Sequence, residues 1–423
     1  MTAEISPMQP GVRPPVRAWV AVGLLWVALC SYSITQNMIA TMHGSLVAAI
    51  PMTEAQFGLM ISVLPWIFGV VSPFAGFLSD RFSRRWMIIG SMFLWSATTW
   101  LTAYAKTYPE LLAMRALLAV SQGCYWPAGG ALVVDYHRGP TRSFAASLYM
   151  TGFYVGGVLS SVGGWLAERH SWTYAFSAVG LPSLVYSLLL IMVLFDAPRE
   201  NGARGEAQPP VRLRMALASL FSRRSFIIVL ACVTLADAVG MTMEGWLPTY
   251  MKEHFRIGQS AAGFSATGYR HAADIIGLLL GGAWSTRWGR TNARSCILVP
   301  AIGLFFASAA MLLAVNTHSL AISIAALLAV GLTASCFTAN VLPMLCLTID
   351  SRYYATGLGL ILTAVCLVGG VFVYVAGVLR DGNIGLDKIF DLGALGWMLC
   401  VGMLLLLKLA PAPPASGGPT AVV

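Results

Sequence analysis

The sequence predicts an all-α integral membrane protein with 12 transmembrane helices in two pseudo-symmetric bundles of six. Three observations lead to this fold class. The chain is 57% hydrophobic and only 10% charged, whereas soluble domains carry about 25% charged residues. It contains 12 apolar runs, and one longer polar segment separates the sixth run from the seventh. A soluble core could not bury this much apolar surface, so we expect lipid to surround much of the chain.

Each apolar run is long enough to cross a bilayer core, which needs about 20 residues. The spans are expected at 18–46, 57–78, 86–104, 109–134, 143–166, 172–195, 225–250, 261–284, 293–314, 318–347, 354–378 and 389–410. They give an N-terminal bundle (18–196) and a C-terminal bundle (225–410), joined by a linker (197–224) rich in proline, glycine and arginine. Cytoplasmic tails are expected at 1–17 and 411–423.

The basic residues set the expected orientation. If the N-terminus is cytoplasmic, cytoplasmic segments hold 18 lysines and arginines and the opposite side holds 6. This excess predicts a multi-pass protein of the cell (inner) membrane with both termini cytoplasmic. The net charge of +9 is spread over short loops, so no nucleic-acid partner is expected. We find no enzyme signature and expect neither a cofactor nor a metal site; the eight cysteines form no C-x-x-C pair.

A short charged motif lies between spans two and three. Residues 76–85 read Gly-Phe-Leu-Ser-Asp-Arg-Phe-Ser-Arg-Arg, and this pattern resembles the loop between the second and third helices of the major facilitator superfamily, with Ser83 where the family usually has glycine. A basic stop-transfer turn is the alternative. The resemblance implies a gating role, for which we select Gly76, Asp80, Arg81, Arg84, Arg85 and Arg287.

The second half of the chain repeats this pattern. Residues 282–290 match 76–84 at an offset of 206, with Thr286 in place of the aspartate. Residues 127–135 and 343–350 each run from a proline to an aspartate. Parallel six-helix halves are the architecture of this superfamily, so the resemblance covers nearly the whole chain. Span five lacks the proline and the final glycine pair of the superfamily's drug–proton antiporters, which disfavours an exporter.

An arginine inside span four is the first candidate substrate contact. Placing an ion at mid-membrane costs roughly 3 kcal/mol or more, and Gln122 and Trp126 follow Arg115 on one helical face. This segment, together with Trp246-Leu-Pro-Thr-Tyr250 in span seven, resembles the anion:cation symporters and the spinster proteins. In those families the arginine holds a substrate carboxylate or takes part in a charge switch. The alternative is an arginine that snorkels to the outer interface.

The chain departs from these symporters in the N-terminal half. Gln122 replaces an acidic residue, and the residues 31–35 lack the charges that the family carries in span one. Span one keeps a polar stripe that includes Gln36, Asn37 and His43. The stripe is expected to line the cavity, although polar contacts between helices would explain it as well.

The C-terminal half carries the remaining intramembrane charges. Asp237 and Glu244 lie seven residues apart in span seven, and span eight has Arg270 and, four residues on, Asp274. We expect Asp274 and Asp237 to compete for Arg270. The acid left without a partner is readily protonated in lipid, and depth favours Asp237 as the proton acceptor. The alternative is a structural ionic network.

The sequence therefore predicts a monomeric secondary transporter that moves a small organic anion by alternating access with proton coupling. The expected substrate contacts are Arg115, Gln122, Trp126, Gln36, Asn37, His43, Arg270 and Trp246, and the expected proton-coupling acids are Asp237, Asp274 and Glu244. A drug or metabolite exporter, a uniporter and a transport-inactive receptor are the alternatives.

Overall fold

The structure, a computed structural model, describes residues 16–137, 141–196, 213–292, 294–349 and 353–407. The side chains of Asp80, Ser143, Leu213 and Ala355 are outside the description. Most of the predicted tails and linker (1–15, 197–212 and 408–423), as well as Asp350, also lie outside the described residues.

The described chain is helical apart from short turns. Its helices are α1 (Val16–Thr41), α2 (His43–Ala49), α3 (Glu54–Arg81), α4 (Arg84–Thr102), α5 (Tyr108–Tyr136), α6 (Arg142–Arg169), α7 (Trp172–Val193), α8 (Leu213–Phe221), α9 (Arg224–His254), α10 (Gln259–Gly263), α11 (Tyr269–Gly289), α12 (Ser295–Asn316), α13 (Leu320–Thr348), α14 (Tyr354–Asp381) and α15 (Leu386–Leu405). A π-helical turn, Phe264–Gly268, joins α10 to α11.

Every predicted span coincides with a helix or a helix series. Span one is α1 followed by α2, and span eight is α10, the π-turn and α11. By length and composition, 10 of the described helices can cross a membrane. The two remaining spans are the more polar α4 and α11. The short helix α8 was not predicted, because it lies in a segment interpreted as linker.

Helix α3 extends further than its apolar run. It continues through the charged motif to Arg81, and only Phe82 and Ser83 separate it from α4. Ser83 starts α4 because its hydroxyl accepts a hydrogen bond from the Trp86 amide at 3.4 Å, which satisfies a donor left free at the helix end. The seven residues predicted between spans two and three (79–85) are therefore mostly helical, and the turn itself takes two residues.

The helices pack as two bundles with equivalent pairings. In the first bundle α1 packs on α6, α3 and α4 on α5, and α4 on α7; in the second, α9 packs on α14, α11 and α12 on α13, and α12 on α15. The bundles meet through two further equivalent pairs, α3 with α14 and α6 with α10–α11. Spans five and eleven thus lie at the interface between the halves.

The two membrane faces differ in how the halves meet. We call the face with the turn 82–83 and residues 194–196 the linker face, and the face with the turns 50–53 and 382–385 the far face. At the far face α3 and α14 are in contact as far as the start of α3. Toward the linker face this contact ends: a methyl group placed on Gly58 or Gly69 of α3 would meet α14, whereas one placed on Gly76, on the same side of α3, would meet no atom within 4 Å. The halves are therefore closed at the far face and separated at the linker face.

Candidate substrate site

A cavity lies between the two halves. Its volume is about 70 Å³. It is lined by α1, α3 and α5 of the first half and by α9 and α14 of the second: Gln36, Asn37, Ile39, Ala40, Ile61, Leu64, Pro65, Arg115, Met241, Glu244, Gly245 and Val373. Both halves therefore contribute polar groups to one site.

Arg115 is buried in this cavity wall, with 3% of its surface exposed. Its guanidinium donates to the backbone carbonyls of Gln36 at 3.2 Å, Thr35 at 3.3 Å and Met60 at 3.5 Å. No described carboxylate pairs with it, so its positive charge is held only by neutral acceptors. This burial does not fit an arginine that snorkels to the outer interface.

Three amide side chains surround Arg115 on the first half. The Gln36 Oε1 atom is buried in the cavity wall and has no described hydrogen-bond partner. Asn37 also lines the cavity and donates to the Ser33 carbonyl at 3.1 Å. Gln122 is fully buried and donates to the Tyr32 carbonyl and the Thr35 hydroxyl at 3.2 and 3.0 Å. Gln122 therefore fastens α5 to α1 and is not among the described residues that line the cavity here; its contact with the substrate stays a prediction.

Trp126 belongs to an aromatic cluster on the linker side of the cavity. Its ring lies 5.6 Å from Tyr32, 6.0 Å from Phe153 and 6.3 Å from Phe68, measured between centroids. It follows Arg115 by three helical turns, which corresponds to about 16 Å along the axis. A substrate held at Arg115 must extend toward the linker face to reach it.

His43 and Trp246 lie outside the cavity lining. His43 Nε2 is 3.0 Å from Glu54 Oε2, and the fully buried Trp246 donates to the Val373 carbonyl at 3.1 Å. Both rings pack on Phe57, with centroid distances of 4.5 and 5.5 Å. In this conformation the two residues belong to the packing that closes the far face, and their contact with the substrate stays a prediction.

The predicted ionic cluster is present, but its pairing differs from the expectation. Arg270 lies 2.7 Å from Glu244, and its expected partner Asp274 is 4.0 Å away. Asp274 instead accepts hydrogen bonds from His271 Nδ1 at 3.1 Å and from the Ser335 hydroxyl at 3.0 Å. Glu244 lines the cavity, whereas Arg270 is not among the described lining residues. Arg270 is therefore connected to the cavity only through its ion pair with Glu244.

Asp237 stands apart from this cluster. It is half-buried on α9, two helical turns before Glu244, and no described residue forms a hydrogen bond or ion pair with it. The expected competition between Asp237 and Asp274 for Arg270 is therefore absent among the described residues. Asp237 is nevertheless the intramembrane acid without a described partner.

The arginines of the charged motif bind within their own half. Arg84 pairs with Asp135 and donates to the Ala131 carbonyl at 3.1 Å. Arg85 donates from its backbone to Asp196 at 3.0 Å. These contacts fasten the turn 82–83 to the ends of α5 and α7. Arg81 lies over the ring of Phe77, 4.2 Å from its centroid, and Arg287 is exposed on α11; the Asp80 side chain is outside the described residues.

Two glycines mark the place where the halves are separated. Along the antiparallel α3–α14 contact, Gly58 lies beside Val373 and Gly69 beside Cys366. If this register is extended toward the linker face, Gly76 falls near Gly359. A methyl group placed on either would meet no atom within 4 Å. These positions have free space here and would come together if the linker face closed.

The far face is closed by a first carboxylate cap, which sequence reasoning missed. The Asp381 carboxylate, at the end of α14, accepts hydrogen bonds from the Glu54 and Ala55 amides at the start of α3, both at 2.9 Å. Arg380 pairs with the Glu54 carboxylate at 3.0 Å. These contacts join the two halves at a helix N-terminus, where the amide donors and the helix dipole favour an anion.

A second cap occupies the equivalent place in the other inter-bundle pair. The Glu168 carboxylate, near the end of α6, accepts a hydrogen bond from the Ser260 amide in the first turn of α10 at 2.6 Å. Beside it, Gln259 accepts hydrogen bonds from the Ser45 amide and hydroxyl at 3.1 Å. Acids at the ends of spans five and eleven are the signal that could have identified both caps.

Comparison with known proteins identifies the family that has this architecture. The sequence model of the Major Facilitator Superfamily matches residues 24–374. The chain belongs to the Major Facilitator Superfamily. Members of this superfamily are transporters, so the predictions of a multi-pass membrane transporter and of a non-enzymatic protein are confirmed.

Solved structures of this superfamily share the fold. A bacterial homologue of the human lysosomal transporter Spinster, inward-facing and unoccupied, is 17% identical over 93% of this chain and 96% of that chain, with a TM-score of 0.75. Its inward-facing, occupied form is 18% identical over the same shares, with a TM-score of 0.73. A mutant of the nucleoside transporter NupG is 10% identical over 91% of this chain and 99% of that chain, with a TM-score of 0.74.

Proposed function

We propose that this Major Facilitator Superfamily protein is a monomeric, proton-coupled secondary transporter of a small organic anion. Arg115 carries the proposal: a buried guanidinium lines a cavity between the halves and has no described carboxylate partner. Burying a charge without an ionic partner is unfavourable. An anionic ligand that pairs with Arg115 reduces this cost, and the reduction contributes to its binding free energy.

The contacts of Arg115 leave it able to exchange partners. Its hydrogen bonds measure 3.2 to 3.5 Å, longer than the usual 2.9–3.0 Å for N–H···O bonds. A carboxylate can receive two parallel N–H bonds from a guanidinium, and such charge-assisted bonds are shorter and stronger than bonds to neutral carbonyls. Gln36 and Asn37, on the same wall, supply further polar contacts.

The conformation supports alternating access. The far face is closed by contacts between the halves, whereas toward the linker face α3 has free space at Gly76, on the side that meets α14 at Gly58 and Gly69. If the excess of basic residues places the linker face in the cytoplasm, this conformation is open to the cell interior of an inner-membrane protein. Closing the linker face and releasing the far face would expose the same cavity to the other side.

Asp237 is the acid that we assign to proton coupling. Glu244 is paired with Arg270, and Asp274 accepts two hydrogen bonds, so both are stabilised as carboxylates. Asp237 has no such partner among the described residues, and it lies on α9, which also lines the cavity. A carboxylate in this position can bind and release a proton during the transport cycle.

The test is binding of organic acids to the purified full-length protein, followed by thermal shift. Arg115→Gln should abolish stabilisation by the best acid, and Arg115→Lys should weaken it because lysine lacks the planar donor pair. Loss of a charged hydrogen bond, worth about 1.5–3 kcal/mol, lowers affinity by roughly 10- to 150-fold. Arg169→Gln, at an exposed arginine ending α6, is the control. Unchanged affinity in Arg115→Gln contradicts the proposal.

Uptake into vesicles separates the remaining alternatives. A transport-inactive receptor binds the acid but does not equilibrate it across the membrane. A uniporter equilibrates it without responding to an imposed pH gradient, and an exporter moves it from the linker face to the far face.

A further inference from the structure

We infer that the transported anion also carries an ammonium group, and that Glu244 binds this second group. This inference rests on the proposed function, because it takes the anionic group to be held by Arg115. The substrate class is then a small zwitterion whose two charged ends contact different halves of the protein.

The cavity presents opposite charges on its two walls. Arg115, on α5, belongs to the first half, and Glu244, on α9, belongs to the second; both line the cavity. The side chain of Glu244 is 34% exposed, and only its Oε1 atom is taken by Arg270, at 2.7 Å. No described donor reaches its Oε2 atom. One carboxylate oxygen is therefore available to a ligand in the cavity.

The charges around the cavity favour a substrate with no net charge. Arg115 and Glu244 are the two charged groups among the described residues that line the cavity, and they carry opposite charges. A simple anion would pair with Arg115 but would also meet the Glu244 carboxylate, in a region where charges are poorly screened. A zwitterion can pair with both groups and leaves the net charge of the lining unchanged.

A ligand of this kind would also link the two halves. Its carboxylate would be held by α5 and its ammonium by α9, and these helices move relative to each other when access alternates. A ligand shifts a conformational equilibrium only through contacts that differ between the states. A substrate that contacts both walls makes contacts that change when the halves move. A substrate bound to one half keeps the same contacts in both states.

The test compares matched probes on the purified full-length protein. Unbranched ω-amino acids of increasing chain length are each paired with the plain carboxylic acid of the same length, and affinities are measured by thermal shift. We expect the best-fitting amino acid to bind at least about tenfold tighter than its plain partner, because a charge-assisted hydrogen bond is added.

Variants assign the preference to Glu244. Glu244→Gln should remove the preference for the amino acid, and the plain acid should bind as well or better because Arg270 loses its partner. Glu244→Asp retains the charge on a shorter side chain, so the preference should remain and the best probe should be longer by one methylene. Glu110→Gln, at an exposed glutamate at the start of α5, should behave like the unmodified protein.

The outcomes separate the two proposals. If amino and plain acids bind equally and both depend on Arg115, the zwitterion inference is overturned and the proposed anion site stands. A preference for amino acids that persists in Glu244→Gln overturns the assignment to Glu244. If binding of neither probe depends on Arg115, the proposed function itself fails.

Discussion

Removing the two carboxylate caps should open the far face. Asp381 holds two amides at the start of α3, and Glu168 holds one at the start of α10, each across the boundary between the halves. Both carboxylates lie in the last turn of their helices, α14 and α6. We expect Asp381→Ala and Glu168→Ala each to weaken the closed far face, and the double variant to weaken it further.

The size of the effect follows from helix capping. Replacing a capping side chain by alanine costs about 0.5–2 kcal/mol, typically about 1 kcal/mol. The two caps are in different inter-bundle contacts and share no described partner, so their effects should add to about 2 kcal/mol. A difference of this size shifts the equilibrium between closed and open far faces by roughly 30-fold, and one cap alone shifts it by about fivefold.

The assay uses a cysteine placed in the cavity. Ala40 lines the cavity and is only 4% exposed, so Ala40→Cys gives a thiol that a reagent reaches from the far side only when that face opens. A membrane-impermeant thiol reagent is added to the far side of proteoliposomes, and the parent protein without Ala40→Cys gives the background. The labelling rate should rise by about fivefold in each single variant and by roughly 30-fold in the double variant.

A matched control removes a carboxylate that does not cross the boundary. Asp391 accepts a hydrogen bond from Asn316 at 2.8 Å, within the second half of the chain. Asp391→Ala should leave the labelling rate unchanged. The reasoning is refuted if the double variant labels at the parent rate, or if Asp391→Ala raises the rate as much as removal of a cap.

Three further predictions concern gating and coupling. Gly76→Leu should leave folding unchanged but block closure of the linker face and stop transport, because Gly76 has free space here and is expected to meet α14 when that face closes. Gly377→Leu should instead favour an open far face, because a side chain at Gly377 meets the Glu54 carbonyl here. Cysteine labelling from each side would show both effects. Asp80→Asn should favour the conformation open to the linker face and slow transport; unchanged accessibility from that face excludes a gating role for Asp80. Asp237→Asn should abolish accumulation driven by a pH gradient yet preserve exchange of substrate down its own gradient, and pH-driven accumulation in this variant rules Asp237 out.

The order of the helices and the equivalence of the two halves were largely predictable. The length of an apolar run and the charge of a loop are local properties of the chain, and the bilayer selects for both directly. The repeat at an offset of 206 residues indicated equivalent halves, and the helix pairings show them. Element ends were less predictable, because α3 continues through charged residues to Arg81 before the turn.

The candidate site was predictable only in part. The sequence by itself determined that Arg115, Glu244 and Arg270 lie within membrane spans, because each interrupts an apolar run. Helical spacing favoured Asp274 as the partner of Arg270, since the two are four residues apart, yet Glu244 on a neighbouring helix comes closer. Spacing along one helix fixes which residues share a face, but the rotation of that face toward another helix is set by packing between helices.

The tertiary structure alone decided which residues close the far face and which line the cavity. His43 and Trp246 looked like cavity residues in the sequence, and both pack at the closed face. Asp381 and Glu168 lie at helix ends, and their partners are amides at the start of helices from the other half. An acid at a helix end can indicate a cap, but the sequence of one helix does not name the partner amides, because these depend on how the two halves lie against each other in one conformation of the transport cycle.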